Sequence, residues 1–277
     1  FELSFPDVPG RDVSGVVVGT GANVTDLKPG DAVFGVCPPN RWGSHAEMVA
    51  VEAGILAIKP PEVSHVDAAS IALVGCTALT ALEKTATIGD GMRVLIHAGA
   101  GGVGTFAIQL AKARGAEVLT TCSARNVEHV RSLGADVAID YHTSDYAEIA
   151  KDCDAVLESI GGEHIDRAIR TVRRGGTVAV ISPGLPTFSK RHGPVLGVFV
   201  LAGQILRWTI GARLSRGVKV KLVTRKARGH VLRELATLID QGTIRPVVDR
   251  VFPLDQVSDA HRYLEQGHAR GKVVLAI

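Results

Sequence analysis

Arg93-Val94-Leu95-Ile96-His97-Ala98-Gly99-Ala100-Gly101-Gly102-Val103-Gly104 sets the reading of the whole chain. Val94–His97 reads as a buried strand that runs into G-x-G-x-x-G at Gly99, Gly101 and Gly104. A helical face follows, carried by Val103, Phe106, Ala107, Leu110 and Ala111, with Gly115 as its stop. Each glycine has a physical reason. The first allows a tight turn, and the second lets backbone N–H groups approach a diphosphate without a Cβ in the way. The third lets the helix pack closely on the strand, so that its positive end meets the phosphates. Strand, turn, helix and a second strand together predict a dinucleotide site. The alternative is a glycine turn of purely structural use.

Downstream of this segment the chain alternates. Strands are expected at 94–97, 117–121, 137–139, 155–158, 177–181 and 218–224, with helical segments between them. That is the pattern of a doubly wound parallel sheet, and six strands complete two mononucleotide-binding halves. Upstream, residues 13–18, 32–36 and 46–51 read as short strands separated by Gly/Pro turns, which suggests a small barrel. Residues 65–85 read as a helix. Helices are also expected over 229–241 and 254–266, each ended by a glycine, with a last strand over 272–277. Pro194–Leu214 is almost wholly apolar to Leu206 and then carries Arg207 and Arg213. It reads either as a helix packed in a core or subunit interface, or as a contact with a membrane surface or lipophilic substrate.

The second strand selects the nucleotide. A site for NAD wants a carboxylate about 20 residues after the loop, to hold the ribose hydroxyls. Thr121-Cys122-Ser123-Ala124-Arg125 has none. Ser123 and Arg125 offer a hydroxyl and a guanidinium, which suit a 2′-phosphate and predict NADPH (NADP+). Arg125 alternatively caps or solvates the next helix.

With 277 residues the chain is long enough for about two domains. Its net charge of +3 gives little support to a nucleic-acid partner, although 213–228 is locally basic and reads as a solvated face. Cys37, Cys76, Cys122 and Cys153 lack C-x-x-C spacing and read as reduced thiols, as in a cytoplasmic protein. No apolar run reaches the ~18 residues of a membrane span. The chain starts at Phe1 without a methionine, which predicts a fragment lacking its upstream part.

The combination of segments resembles the zinc-independent, quinone oxidoreductase-like branch of the medium-chain dehydrogenase/reductase superfamily. The matching residues are Pro9-Gly10-Arg11-Asp12-Val13-Ser14-Gly15-Val16-Val17, Pro29-Gly30-Asp31-Ala32-Val33, Val74-Gly75-Cys76-Thr77-Ala78 and Ala98–Gly104. Leu133-Gly134-Ala135-Asp136, Asp140-Tyr141 and Arg270-Gly271-Lys272-Val273-Val274 complete the set. The resemblance implies an α/β fold: a Rossmann-type doubly wound parallel sheet plus an incomplete GroES-like β-barrel. It implies a GroES-like catalytic domain over 1–73, the dinucleotide-binding domain over 74–242, and a return segment over 243–277.

Site roles follow from the same resemblance. Thr77 would lie by the nicotinamide. Gly101, Gly102, Val103 and Gly104 would cradle the diphosphate, after the Gly99 turn. Ser123, Arg125 and Tyr141 would surround the 2′-phosphate, and Ile160 and Ser182 would line the nicotinamide ribose. Lys272 would belong to a closing strand near the cleft, or be an ordinary surface lysine. Zinc-dependent members place a ligating His where Arg11 stands and a ligating Cys where Leu73 stands. Neither residue binds metal, so no zinc is expected.

A quinone or an α,β-unsaturated carbonyl fits such a site, because it accepts hydride without a strong Lewis acid. Asn40, Arg41 and His45 are the weak candidates for the group that stabilises the developing oxygen charge; His45 equally reads as a plain loop histidine. Two further readings follow from the residues. One is a homodimer paired through the Val218–Thr224 edge strand. The other makes the chain a non-catalytic NADPH-binding sensor or a membrane-associated module. A short-chain dehydrogenase is excluded, since Asp145, Ala150 and Gly267 stand four residues after the three tyrosines, where a lysine is required.

Overall fold

Six parallel strands carry the architecture: β4 (Arg93–Ile96), β5 (Glu117–Cys122), β6 (Val137–Asp140), β7 (Cys153–Glu158), β8 (Val172–Val180) and β9 (Lys219–Leu222). Their order is β6-β5-β4-β7-β8-β9, and every pairing is parallel. The chain therefore winds outward in both directions from β4, and the switch point lies between β4 and β7, as the alternating pattern predicts. The computed structural model describes residues 8–38, 43–183, 193–224 and 229–277. Asn40, Arg41 and the end of the basic 213–228 run lie outside the described residues.

Both faces of this sheet are covered. Leu95, Leu119, Val156, Val178 and Val220 join one buried cluster with Ile165, Ala168 and Ile169. Val94, Ile96, Val118, Ala155 and Leu157, which alternate with them, are buried as well. Two-sided burial explains why these strands read as continuous apolar runs rather than as alternating ones.

The helices in chain order are α1 (His65–Leu79), α2 (Gly102–Ala113), α3 (Val127–Ser132), α4 (Tyr146–Ile149), α5 (Glu163–Thr171), α6 (Pro194–Leu206), α7 (Ala212–Arg216), α8 (Gly229–Asp240) and α9 (Val257–Glu265). A wider helical turn, Arg207–Gly211, joins α6 to α7. Leu201, Trp208 and Ala212 from this stretch enter the sheet's core cluster, so one side of the apolar 194–214 segment is core. Phe199, Leu206, Ile210 and Leu214 on its other side are exposed.

By compactness the chain forms two units. One holds residues 77–100 and 107–225, the parallel sheet among them; the other holds the described residues of 1–76, 101–106 and 226–277. The second unit contains an antiparallel sheet, β1 (Asp12–Val16), β2 (Ala32–Val36) and β3 (Leu56–Ile58), in that order. It also contains a parallel pair, β10 (Val248–Pro253) with β11 (Lys272–Ala276). Helix α8 packs on β3 within this unit.

Three sequence expectations change. Residues 46–51 form no strand, and the third strand is Leu56–Ile58 instead. A strand needs a ladder partner, and none of the described strands pairs with 46–51. The partner of the C-terminal strand, β10, is not foreseen, because its apolar pattern is broken by Asp249 and Arg250. Finally, the helical stretch His65–Ala86 is long and apolar enough to cross a membrane by length and composition. Because 67% of its apolar window is buried inside the protein, it is a core helix.

Candidate functional site

The carboxyl ends of the parallel strands gather six of the residues singled out above. Gly99 follows β4, Ser123 and Arg125 follow β5, Tyr141 follows β6, Ile160 follows β7 and Ser182 follows β8. A parallel sheet brings all of these to one edge, which is where open α/β sheets bind ligands.

The turn after β4 is held tightly. Ala98 N–H donates to Thr121 Oγ1 at 3.0 Å, and Gly99 N–H donates to Thr121 O at 2.9 Å. The residue that takes the left-handed conformation is Ala98, at φ +54°. Gly99 is required for a different reason than the tight turn expected of it. A Cβ there would stand 2.1 Å from Thr120 Oγ1, and that hydroxyl is already spent on Ile96 O at 2.7 Å.

Ser123 and Tyr141 are brought together by register. Cys122 and Asp140 are paired partners in β5 and β6, and Tyr141 N–H donates to Cys122 O at 3.2 Å. The Tyr141 ring is exposed and leans on His142, with ring centroids 4.3 Å apart. Ser123 Oγ accepts from Asn126 Nδ2 at 3.1 Å, and Arg125 is exposed in the 3-10 turn Ala124–Asn126. Thr77 is buried in the last turn of α1.

Sequence reading missed one feature of this edge. Glu158 and His97 are fully buried, and His97 Nδ1 lies 3.2 Å from Glu158 Oε1. The His97 ring packs edge-on against Tyr146 at 4.6 Å. Burial pushes the Tyr146 hydroxyl up to about 12, so it stays protonated. A carboxylate closing the apolar run Ala155-Val156-Leu157 was the available signal.

The second unit holds the start of α2. Its first main-chain bond runs from Thr105 N–H to Gly101 O at 2.9 Å. The N–H groups of Gly102, Val103 and Gly104 therefore have no carbonyl behind them within the helix, and they form the positive helix end. Gly101 forms a parallel bridge with Gly271. A Cβ on Gly102 would stand 2.9 Å from Lys272 Cδ and 3.2 Å from Val74 Cγ1. Lys272 is thus no ordinary surface lysine, and its Nζ pairs with Asp12 Oδ2 at 3.2 Å. Asp12 Oδ1 accepts from Leu73 N–H at 2.5 Å. The Asp12 carboxylate offsets a cation that lies along a positive helix start.

Arg11, Asp12, Leu73 and Lys272 are close in space although they are far apart in sequence. Arg11 Nε donates to Cys37 O at 2.6 Å. A guanidinium and a leucine offer no lone pair to a metal, so zinc does not fit these positions. Among the described residues no group of three or more His, Cys, Asp or Glu is placed to hold a metal ion. All four cysteines are buried and form no disulfide. Burial pushes the Cys37, Cys122 and Cys153 thiols up, which keeps them protonated and unreactive.

His45 packs on the Pro9-Gly10 turn, its N–H donating to Pro9 O at 3.0 Å. Its ring lies 6.1 Å from that of His261. Burial and His261 hold its pKa below the usual histidine value, which favours the neutral ring.

Comparison with known proteins places these features in context. The model for the alcohol dehydrogenase GroES-like domain matches residues 1–62, and that for a zinc-binding dehydrogenase matches residues 133–275. The chain is 38% identical to the mitochondrial NAD(P)H oxidoreductase RTN4IP1 of Mus musculus, covering 99% of this chain and 71% of that protein. It is 37% identical to the chloroplastic NADPH-dependent alkenal/one oxidoreductase of Arabidopsis thaliana, covering 98% of this chain and 64% of that protein. Among solved structures, the quinone oxidoreductase from Coxiella burnetii superposes with a TM-score of 0.86 at 32% identity. It covers 99% of this chain and 80% of that one.

The Gly99 contact gives a direct test. Gly99→Ala should destabilise the protein by about 1–3 kcal/mol through overpacking. Adding Thr120→Ala removes the struck hydroxyl, so the double variant should cost clearly less than the two single variants together. Urea denaturation of all four proteins measures this, and strict additivity would refute the contact.

Proposed function

The chain belongs to the medium-chain dehydrogenase/reductase superfamily, and we propose that within it the protein is a zinc-independent, NADPH-dependent reductase of quinones or α,β-unsaturated carbonyls. It is an oxidoreductase with a nicotinamide cofactor. The observation that carries the finer reading is the β4-turn-α2 unit. There, free helix N–H groups, a glycine with no room for a Cβ and a braced lysine suit a diphosphate.

The residues present fit the nucleotide. Gly102, Val103 and Gly104 would hold the diphosphate with their backbone N–H groups. Ser123, Arg125 and Tyr141 would take the 2′-phosphate; the exposed guanidinium and the absence of a carboxylate at 121–125 support the phosphorylated form. Thr77, Ile160 and Ser182 would flank the nicotinamide half, and the Asp12–Lys272 pair would hold β11 against the start of α2. The chemistry the reduced nicotinamide supplies when bound is hydride donation to an electron-poor carbon. His45, kept neutral by burial, would donate a hydrogen bond to the oxygen on which charge develops.

The Arg11 and Leu73 substitutions at metal-ligand positions support catalysis without zinc; stoichiometric zinc in the purified protein would overturn this. Quinones and enones suit a site that lacks a Lewis acid. The edge position of β9, paired with β8 alone, supports a homodimer through Val218–Thr224. A monomer in sedimentation would refute it. The exposed side of the 194–214 segment favours a second role, contact with a lipid surface. Failure to co-sediment with anionic vesicles would remove it. Buried cysteines without disulfides support a reducing, cytoplasmic compartment; native disulfides on non-reducing mass analysis would oppose that.

Fluorescence titration and turnover with a panel of quinones and enones test the main reading. NADPH should bind at least tenfold more tightly than NADH, and Arg125→Ala should erase most of that preference, as loss of a charge-assisted phosphate contact requires. Equal affinities in the unaltered protein, or no oxidation of NADPH by any acceptor, would refute the assignment.

A further inference from the structure

Glu158 ends β7 with no exposed surface, and both its carboxylate oxygens are engaged. Oε1 accepts from Ile160 N–H at 2.8 Å, and Oε2 accepts from Gly161 N–H at 2.9 Å. His97 Nδ1, at 3.2 Å, faces an acceptor and therefore carries the proton. Ser159 Oγ donates to His97 O at 3.2 Å. His97 in turn is the last residue before the left-handed Ala98 and the Gly99 turn.

One buried carboxylate thus ties together two loops at the switch point. It folds the Ser159–Gly161 turn back on itself, with Gly161 at φ +87° and the Ile160 side chain turned outward, 46% exposed. It also anchors the imidazole that leads into the glycine turn. Its three N–H partners come from residues 97, 160 and 161, in the turns that follow β4 and β7, two strands that neighbour each other in the sheet.

We propose that Glu158 is a positioning residue for hydride transfer: through Ile160, Gly161 and His97 it fixes the wall on which the nicotinamide half of the nucleotide is oriented. This rests on the reading above, in which Ile160 lines the nicotinamide ribose. It goes further by assigning the geometry of that wall to a residue that touches neither nucleotide nor substrate. The 2′-phosphate residues hang from β5 and β6, outside this brace. Disturbing Glu158 therefore loosens one half of the nucleotide and spares the other.

The test compares the unaltered protein with Glu158→Gln, using 2′,5′-ADP as a probe of the adenosine half alone. Folding is checked by near-ultraviolet circular dichroism. Glu158→Gln keeps the side-chain volume but loses the charge and one acceptor oxygen. It should bind 2′,5′-ADP within twofold of the unaltered protein. Its kcat should fall by about tenfold to a hundredfold, the scale of ångström-level misplacement. The primary isotope effect from NADPH deuterated at C4 should rise as the hydride step becomes limiting. Glu158→Asp, which keeps the charge on a shorter stem, should recover part of the loss. Should Glu158→Gln fail to fold, His97→Phe tests the His97 arm of the brace, because it keeps a ring against Tyr146 and deletes the Nδ1 donor together with Nε2, which makes no hydrogen bond. An unchanged kcat and isotope effect would overturn the proposal. So would equal weakening of 2′,5′-ADP and NADPH, which marks a purely structural role. Absence of 2′,5′-ADP binding by the unaltered protein would instead overturn the NADPH reading itself.

Discussion

A helix that begins at Gly102 directly after a buried strand leaves its first backbone N–H groups without carbonyl partners. The strand before it, β4, sits at the centre of the sheet, with β5 on one side and β7 on the other. Every following strand adds a loop at the same edge. Donors fixed by the backbone need no reorganisation when an anion arrives, and their positive field falls off within the first turn. The surroundings of the turn are correspondingly tight, and side chains larger than hydrogen are excluded at Gly99.

Charge is arranged around the same start. Lys272 would be poorly placed beside a positive helix end on its own, but Asp12 neutralises it, and the Leu73 N–H holds the carboxylate in turn. Beside this pair, a guanidinium (Arg11) and an aliphatic side chain (Leu73) stand where the family resemblance implies metal ligands in zinc-dependent members. On the proposed zinc-independent reading, substrate activation would fall to hydrogen bonding, and the acceptor would be one that is reactive in its own right.

Much of the fold was legible because its signals are local. Apolar runs of strand length, separated by helical spacing and glycine stops, reported all six parallel strands in order. The strand, glycine turn and helix of 93–113 were legible for the same reason, since they are contiguous. Residues 46–51 misled because an alternating apolar pattern cannot reveal whether a ladder partner exists. Strand β10 escaped because its pattern is interrupted by Asp249 and Arg250 and its partner β11 lies some twenty residues downstream. The two polar braces escaped for a related reason: Glu158 meets His97 across 61 residues, and Lys272 meets Asp12 across 260. No sequence periodicity encodes such contacts. The reason for Gly99 was also misassigned, since a steric clash with Thr120 on the next strand cannot be seen along the chain.

The most direct measurement is phosphorus magnetic resonance of NADP+ titrated with the intact protein. If the backbone N–H groups at the start of α2 hold the diphosphate, its two resonances shift and broaden saturably, together with that of the 2′-phosphate. Diphosphate resonances unmoved at saturating protein would contradict the account, whatever the 2′-phosphate signal did.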